Sequence, residues 1–540
     1  MIEFDFKLPS RNINDTHNGT YNNYEMVLPC ALTTDSPRPG LFLHLLHNQV
    51  SDERRLLFVD GRVIACCNNW IRDYVHMMKA FRHWEYDLRS FLQYIIEMQT
   101  DEGFFFELVK QLDDMHWSYV GQECRKIFPD DNVALVRLEL EADVEYIVVE
   151  GVWQYYRATG DFEWVKSILP RLEKAINYMT SSPKRWNDEY GLVVRPFTID
   201  TWDFTNDQKS QTDRRIHDDE PMSAMHGDNS GVYEAMNILA FFNEKAGEHT
   251  KADEWRARAE TLKNNMFKYL WNSKFFIHQL HINHNGIDDR EAERLSLSNG
   301  YDINRGVTDL SQSRSIIEEY MNRRKTTAAF AEWFSIDPPY ENFKGYSAGR
   351  YVNGSISPFT AGEIALAAFN YGYENYGWDI ISRFIDISEK DKQICFLYSP
   401  NDRGAQNGSG PSGWGAASLL NAVDEGLAGV VDKDCLYREI NFSPRFVVCP
   451  HREMRYITGY EVSHKFVDIR YVIKDDGMRY DVYSEAEKIN FHILLPNGKS
   501  CRDLFSDGEK IGFQLSHIGN SQYVDFSYAP HGKVIVEILF

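Results

Sequence analysis

The chain has 540 residues, of which 43% are hydrophobic and 14% aromatic, so a large core is expected and disorder is excluded as its main state. Its 80 acidic and 58 basic side chains give a formal charge of −22. This charge repels phosphate backbones and anionic lipids, which argues against nucleic-acid and membrane-surface partners. No apolar run approaches the ~20 residues that a membrane span needs.

The cysteines and the N-terminal sequence point to a cellular location. Eight cysteines are spread thinly along the chain without a CxxC pair, which does not predict a disulfide framework. Free thiols are typical of a reducing compartment. The first residues, Met-Ile-Glu-Phe-Asp-Phe, lack the basic and apolar regions of a signal peptide. A cytoplasmic protein is therefore predicted.

Three zones of composition follow one another and predict a mainly α protein. Residues 1–60 are rich in Asn, Thr, Pro and Gly, which predicts a loop and strand segment. Residues 61–430 carry apolar residues at helical spacing, which indicates an all-α toroid or solenoid. Residues 431–540 alternate apolar and polar residues between turns, which predicts an antiparallel β-sandwich. Helices are predicted over residues 74–98, 134–159, 162–180, 231–246, 251–270, 311–333, 358–373, 377–387 and 412–427.

Several segments between or at the starts of the predicted helices combine aromatic rings with carboxylates and amides. An aromatic face stacks on the C–H side of a pyranose, and a carboxylate accepts hydrogen bonds from sugar hydroxyls. One such segment is better explained by an aromatic packed beside a helix N-cap, but several in one helical body indicate a sugar site. The segments are Trp70-Ile71-Arg72-Asp73, Asp200-Thr201-Trp202-Asp203, Gly227-Asp228-Asn229 and Tyr351-Val352-Asn353.

The order of these motifs resembles that of the (α/α)6-barrel glycoside hydrolases. It is most similar to the glucosidase domain of glycogen-debranching enzymes and their glucoamylase- and trehalase-like relatives, over about residues 61–430. The resemblance implies an (α/α)6 barrel beside a β domain without catalytic residues. It also implies an exo-acting, inverting glycosidase that cleaves an oligosaccharide or glycoside, with a leaning toward α-glucosides and without a cofactor or metal ion.

The resemblance also assigns roles to residues. It implies that Arg72 and Asp73 hold the terminal sugar between Trp70 and Trp202. Asp203 would be the general acid, kept protonated by burial and by neighbouring carboxylates, and Asp200 is the rival for this role. The other predicted substrate-binding residues are Asp200, Asp228, Asn229, Tyr351, Asn353 and Trp414.

The general base is the weak point of the resemblance. The family has a Glu just before a Gly-rich loop and the last barrel helix, whereas residues 395–415 contain the loop and Trp414 but no Glu. Val352 and Ser357 also replace a His and a Trp of the family's motif. Asp402 and Glu363 are the candidate bases, although Glu363 could equally be a helix residue at the edge of the core.

Two alternatives to hydrolysis stay open at this stage. An inverting phosphorylase on the same barrel would need no base, because phosphate itself attacks the sugar. It would hold phosphate with Arg350, Arg403 or Ser409. A carbohydrate-binding protein without catalytic activity is the other alternative. The triplet His278, His281 and His284 favours a solvated hairpin over a metal site, since a strand would turn His281 away from the other two.

Overall fold

The computed structural model describes residues 29–112, 125–203, 214–283, 289–401 and 410–540. Its helices alternate with loops along most of the chain before the sheet-rich C-terminal part. The described helices are α1 (Arg38–Ser51), α2 (Ile71–Phe81), α3 (Ser90–Glu97), α4 (Val144–Thr159), α5 (Phe162–Met179), α6 (His226–Lys245), α7 (His249–Leu270), α8 (Asp289–Glu293), α9 (Ser298–Asn304), α10 (Leu310–Thr326), α11 (Pro358–Asn370), α12 (Glu374–Asp391) and α13 (Gly413–Asn421).

Six of these helices pack in a closed ring. Helix α2 contacts α4, and contacts continue in order through α6, α9, α11 and α13, which packs back on α2. Helices α1, α3, α5, α7, α10 and α12 each pack on at least one helix of the ring. Helix α4 is buried on nearly all sides and α7 along one stripe, as expected for an inner and an outer helix.

Helix α1 corrects the prediction of a loop and strand segment over residues 1–60. Pro39 and Gly40 resemble a turn in the sequence, but proline is well tolerated in the first turn of a helix. Phe42, Leu46 and Val50, four residues apart, then form a buried stripe. The predicted helix over 74–98 is likewise two helices, α2 and α3.

The strands divide between small two- and three-stranded sheets among the helices and two larger sheets near the C-terminus. The described strands are β1 (Ala31–Thr34), β2 (Arg54–Val59), β3 (Arg62–Cys67), β4 (Leu108–Gln111), β5 (Arg125–Phe128), β6 (Val133–Val136), β7 (Trp186–Asn187), β8 (Leu192–Val193), β9 (Arg195–Pro196), β10 (Met222–Met225), β11 (Gln279–His281), β12 (Leu295–Ser296), β13 (Ile336–Asp337), β14 (Asn342–Phe343), β15 (Tyr346–Ser347), β16 (Val430–Asp432), β17 (Glu439–Phe442), β18 (Glu453–Tyr460), β19 (Lys465–Lys474), β20 (Gly477–Ser484), β21 (Lys488–Leu494), β22 (Asp503–Ser506), β23 (Glu509–Ile511), β24 (Gln514–Ile518), β25 (Ser521–Tyr528) and β26 (Lys533–Leu539).

The sheet-rich C-terminal part is confirmed, but β17 pairs parallel with β21, so the sheets are not wholly antiparallel as predicted. One sheet has seven strands in the order β1-β18-β19-β20-β26-β22-β23, and the other has five in the order β16-β17-β21-β25-β24. Strand β1 comes from the N-terminal segment and pairs antiparallel with β18, with Ala31 opposite Ile457. The division of the chain at residues 60 and 430 stays a prediction.

Two further features concern the whole described chain. None of its described helices combines the length and apolarity that crossing a bilayer requires. The seven cysteines within the described ranges are buried and free, in line with the absence of a predicted disulfide framework.

Candidate active site

The candidate site lies where the ring helices begin. We call it the mouth and define it by the residues at or just before the starts of the ring helices: 70–73, 141–143, 226–229, 298–301, 357–359 and 412–414. Contacts join the starts of neighbouring ring helices. Trp414 of α13 stacks on His76 of α2, with 4.2 Å between the centroids of the side-chain rings, and on Phe359 of α11, with 4.6 Å.

Arg72 ties the start of α2 to the loop before α4. Its buried guanidinium forms ion pairs with Glu141 and Asp143, and Nη2 donates to Asp143 Oδ1 at 2.9 Å. Burial alone would lower the pKa of Arg72, but Asp143 and Glu107 hold it above its usual range. Arg72 therefore stays charged, as its predicted role requires, and it is engaged by protein carboxylates.

Asp73 and Asp203 bring two carboxylates to the mouth. Burial raises the pKa of Asp73 to about 6, with Arg72 opposing the shift and Glu53 and Asp203 adding to it. Asp203 is half-buried, and its charge also acts on Arg72 and Tyr351. The segment that carries Asp203 therefore lies near the start of α2.

Aromatic side chains form one wall of the mouth. Trp202 stacks with Tyr351 at 5.8 Å between ring centroids, and it also contacts Phe359 and Phe396. Trp414 donates from Nε1 to the Tyr301 hydroxyl at 2.9 Å. The structure thus brings together three predicted aromatics, Trp202, Tyr351 and Trp414. Trp70 is half-buried and packs on a separate cluster around Leu108.

Two residues of the site adopt left-handed backbone angles. Asp200 has φ of 50° and Tyr351 has φ of 49°, which is uncommon for residues with side chains of this kind. Such conformations cost about 1–3 kcal/mol each and are found mostly where the surroundings enforce them, often at functional sites. The segments around Trp202 and Tyr351 are therefore held in place by the fold.

Asp200 shows how the Trp202 segment is held. Its carboxylate accepts hydrogen bonds from the Ser298 hydroxyl and, at 3.2 Å, from the Ser298 amide. Its own amide donates to His278 Nε2 at 2.9 Å. Because Asp200 is buried and engaged in this way, its contacts favour a positioning role and leave Asp203 as the stronger candidate acid.

Asp228 supports the same segment from α6. It is buried, and its carboxylate lies 3.6 Å from Nη1 of Arg195, whose Nη2 donates to the backbone oxygen of Trp202. Burial raises the pKa of Asp228 to about 6, although Arg195 opposes this shift. Asp228 therefore acts on the site through Arg195.

The side-chain amides of Asn229 and Asn353, two predicted substrate-binding residues, form hydrogen bonds with backbone groups. Asn229 donates to the oxygens of Val193 and Met225 at 3.0 and 2.8 Å and accepts from the Val193 amide at 2.8 Å. Asn353 makes the equivalent set of contacts with Tyr340 and Tyr346. Both side chains are fully buried, which favours a role in shaping loops over contact with sugar.

Glu363 lies deeper in the ring than the mouth. Lys79 Nζ donates to its Oε1 at 2.9 Å and Asn304 Nδ2 to its Oε2 at 2.7 Å. It lines a cavity of about 260 Å³ with Glu150 and Glu234. We call the charged residues of this cavity the lower end of the ring; they are Lys79, Arg82, Glu150, Arg157, Glu234, Arg305, Glu363, Glu425, Asp432 and Lys433. The role of Glu363 as base stays a prediction, and these contacts favour a structural role.

The other predicted residues of the base loop and the phosphate site have different positions. Asp402, Arg403 and Ser409 lie outside the described residues. Arg350 is exposed beside Tyr351. The prediction of a solvated hairpin that turns His281 away from His278 is wrong, because both side chains are buried and pair with Glu291. Against the effect of burial, they hold the pKa of that carboxyl below its usual range. His284 lies outside the described residues.

Sequence reasoning missed three acidic groups at the site. Glu141 and Asp143 stand just before α4, a position that the Glu139-Leu140-Glu141-Ala142-Asp143 sequence could have indicated. Glu107 is buried without a hydrogen bond to its carboxylate among the described residues, and burial raises its pKa to about 8.

Glu53 is a further missed group, and its position follows from contacts between distant segments. Its backbone oxygen accepts from the Asn68 amide at 2.8 Å, and its Cγ lies 2.8 Å from where a Cβ at Gly413 would stand. Burial raises the pKa of this half-buried carboxyl. Glu53 thus lies beside the first residue of the last ring helix, where the family's general base is expected.

Comparisons with known proteins agree with this architecture. The family described as "Mannosylglycerate hydrolase MGH1-like glycoside hydrolase domain" matches residues 92–414. No curated protein matches the chain. These findings support the predicted (α/α)6 type of glycoside hydrolase, but they do not support the debranching and glucoamylase-like relatives that the motifs suggested.

Solved structures are similar in fold at low sequence identity. The α-L-rhamnosidase from Dictyoglumus thermophilum has a TM-score of 0.60 and 11% identity, covering 95% of this chain and 50% of that one. The Streptomyces avermitilis α-L-rhamnosidase complexed with L-rhamnose has a TM-score of 0.59 and 11% identity, and the match covers 94% of this chain and 42% of that one. The GH63 mannosylglycerate hydrolase from Thermus thermophilus has a TM-score of 0.52 and 12% identity, and the match covers 71% of this chain and 100% of that one. The chain thus spans half or less of the length of these rhamnosidases.

Proposed function

Because the chain belongs to the mannosylglycerate hydrolase MGH1-like glycoside hydrolase family and is a glycosidase, we propose that it is an exo-acting, inverting enzyme with Asp203 as its catalytic acid. The observation that carries this proposal is the meeting of the Trp202–Asp203 segment with Arg72 and Asp73 at the start of α2. The closed ring of α2, α4, α6, α9, α11 and α13 is, in this proposal, the inner wall of an (α/α)6 barrel.

The surroundings of Asp203 suit a proton donor. A general acid must lie where it can reach the glycosidic oxygen, and Asp203 is half-buried beside an aromatic side chain. Asp203 shares the mouth with Asp73 and Glu107, and the electrostatic effect of its charge reaches both. Trp202, next in sequence, would give a sugar ring an aromatic face to stack on.

Inversion requires a second carboxylate to activate water, about 6.5–9.5 Å from the acid. Lys79 and Asn304 already occupy both oxygens of Glu363. Two other carboxylates therefore compete for the role: Asp402, which precedes α13 in the sequence, and Glu53, which lies beside Gly413. Arg72, Asp73 and Trp70 would hold the hydroxyls and face of the terminal sugar.

The substrate class comes from the relatives and is tested directly. The similar proteins are described as hydrolases of mannosylglycerate and of α-L-rhamnosides. We therefore propose that the substrate is an α-glycoside of mannose or L-rhamnose, in preference to an α-glucoside. The test uses 4-nitrophenyl α-mannoside, α-L-rhamnoside and α-glucoside with and without phosphate, and NMR identifies the anomer first released. Release of the inverted sugar without phosphate is expected.

Each other outcome points to a different function. A glycosyl phosphate formed only with phosphate would establish a phosphorylase. Binding of a sugar without turnover of any glycoside would establish a binding protein. To identify the base, Glu53→Gly, Asp402→Gly and Glu363→Gly are assayed with azide. The variant that loses hydrolysis and regains turnover as the inverted glycosyl azide lacks the base.

A further inference from the structure

A thiol, an imidazole and a carboxylate converge below the end of α2, away from the mouth. One ligand atom each from Cys30, His83 and Asp424 lies within 4.8 Å of the other two. All three side chains are buried, with 3% or less of each residue exposed. We propose that these three residues bind a divalent transition-metal ion, with Zn²⁺ as the ion whose ligand preferences fit this set.

His83 Nε2 is the ring nitrogen that could serve as a ligand, and Arg82 Nε donates to it at 3.4 Å. His83 Nδ1 lies 2.8 Å from the backbone oxygen of Gly459, which can only accept, so Nδ1 carries the proton. Nε2 is then a lone-pair atom, and it lies 3.4 Å from Asp424 Oδ2. A histidine ligand whose other nitrogen donates to a carbonyl is the usual arrangement around protein-bound metals.

One carboxylate oxygen of Asp424 lies near His83 Nε2 without a hydrogen-bond donor. Tyr456 donates its hydroxyl to Oδ1 at 2.8 Å, whereas Oδ2 is fully buried and has no hydrogen bond within the described chain. Oδ2 and the imidazole Nε2 are thus two acceptors that face each other. A bound cation would satisfy Oδ2, whose unpartnered burial is costly, and would replace Arg82 as the partner of Nε2.

The backbone presents these groups from uncommon conformations. Asp424 belongs to a π-helical turn, Ala422–Ala428, which directly follows α13. Cys30 has a left-handed backbone with φ of 64°, and its Sγ lies 3.8 Å from the Thr458 hydroxyl. π-helical turns are frequent at functional sites, and left-handed residues with side chains are uncommon. The three donors therefore come from three separate segments held in specific conformations.

The donor set matches zinc chemistry. Zinc binds sulfur, nitrogen and oxygen ligands at about 2.0–2.3 Å in tetrahedral geometry, so the side chains would close in by roughly an ångström. A water molecule or the Thr458 hydroxyl would complete the coordination. Binding converts the Cys30 thiol to a thiolate and releases its proton to solvent, so the ion supplies the positive charge that stabilises the buried anion.

Arg82 is the cation nearest to the cluster, and its Nε donates to His83 Nε2 at 3.4 Å. Metal binding would therefore displace this hydrogen bond. Arg82 and Arg157 both pair with Glu425, at 2.7 and 2.9 Å, so one carboxylate offsets part of their combined charge. The Asp424 carboxylate and the Cys30 thiolate would balance the charge of the bound ion.

A metal at this position would link the helical ring to the seven-stranded sheet. Cys30 precedes β1, His83 follows α2, and Asp424 belongs to the turn after α13. His83 follows Phe81, the last residue of α2, and lies ten positions after Asp73, so the cluster is roughly 12–15 Å from the mouth along the direction of α2. The proposed role is therefore stabilising, and it is independent of catalysis.

The test uses the untagged full chain. We expect about one zinc per chain by elemental analysis, a fall in Tm after EDTA treatment and recovery when Zn²⁺ is added back. Replacement by Co²⁺ should give the thiolate-to-cobalt charge-transfer band. Cys30→Ser and His83→Gln should lose the metal and this band, whereas Cys449→Ser, a change at another buried cysteine, should keep both.

Two results would overturn the proposal. One is wild-type protein that holds no metal and shows no change in Tm with Zn²⁺, Co²⁺ or EDTA. The other is equal metal content in wild type and Cys30→Ser. If Cys30→Ser fails to fold, the wild-type EDTA and Co²⁺ measurements decide alone.

Discussion

The mouth and the lower end of the ring use the same residue types in opposite ways. At the lower end, Arg82 and Arg157 share Glu425 and, against the effect of burial, lower its pKa to about 2. At the mouth, burial raises the pKa values of Asp73 and Asp228 to about 6 and of Glu107 to about 8. Glu234, with a pKa of about 7, is the exception at the lower end, since burial and Glu150 outweigh the effect of Arg305.

This difference indicates where the chain can exchange protons. A carboxyl with a matched guanidinium stays ionised and contributes structure, whereas a carboxyl with less cationic compensation titrates near neutral pH. The mouth is thus electrostatically prepared for acid and base chemistry, and the lower end for holding helices together. Substitutions at the two ends should therefore have different effects.

The largest expected effect is that of Asp203→Asn on turnover. Proton donation by a positioned side chain contributes about 10²–10⁴-fold, so kcat for a glycoside with a poor leaving group should fall by that factor. An activated 4-nitrophenyl glycoside, which needs less protonation, should lose less. Wild-type turnover of both substrates would remove Asp203 from the acid role, and circular dichroism checks the fold.

A smaller effect on activity is expected from Asp73→Ala. Contacts with sugar hydroxyls strengthen in the transition state, so KM should rise and kcat should fall, together by roughly 10–100-fold. Steady-state kinetics on the same glycosides, with calorimetry for sugar binding, measure both changes. Unchanged sugar affinity would show that the Arg72–Asp73 segment is structural.

At the lower end, Arg82→Met should reduce stability and leave kcat unchanged at temperatures where the variant is folded. It leaves Glu425 with one cation fewer in a buried setting, which typically costs about 3–5 kcal/mol. Thermal and urea unfolding measure the loss. Arg38→Met, which removes an exposed ion pair with Asp386 and Glu389, is the matched control with an expected loss of about 0–1 kcal/mol.

The smallest expected effect is a change in the pH dependence of stability. The pKa of Asp228 is about 6 in the folded state, above its ordinary value of 3.8, so the folded state binds this proton more tightly. Wild type should therefore lose up to about 2–3 kcal/mol of stability as pH rises from 4 to 7. Asp228→Asn should lack this component. Unfolding at both pH values measures it, and an identical pH dependence in the two proteins would contradict the assignment.

Periodicity predicted the helices well where a helix has one buried stripe. Helix α5, predicted over 162–180 and observed over Phe162–Met179, is the clearest case, and its Asp161 cap is readable in the sequence. Helix α1 escaped prediction because Pro39 and Gly40 look like a turn, while the burial that stabilises the helix comes from contacts with α13. Local patterns do not contain such tertiary contacts.

Site residues that depend on tertiary contacts were likewise not predictable from local sequence patterns. Arg72, Asp73, Trp202 and Tyr351 form recognisable motifs, and the structure brings them together. The roles of Asn229 and Asn353 depend on backbone partners in other loops, which no motif reveals. Glu53 lies near the mouth only because its segment packs on Gly413, far along the chain.

The pairing of β1 with β18 has a consequence for biosynthesis. Residues 31–34 leave the ribosome hundreds of residues before 454–457, their hydrogen-bonding partners. Until β18 has been translated, this short nascent strand has unpaired amides and carbonyls, which are a liability for intermolecular association. Synthesis of β18, rather than ring formation, would then be the step that commits β1 to its native pairing, and synthesis interrupted before β18 would favour capture by chaperones or proteases.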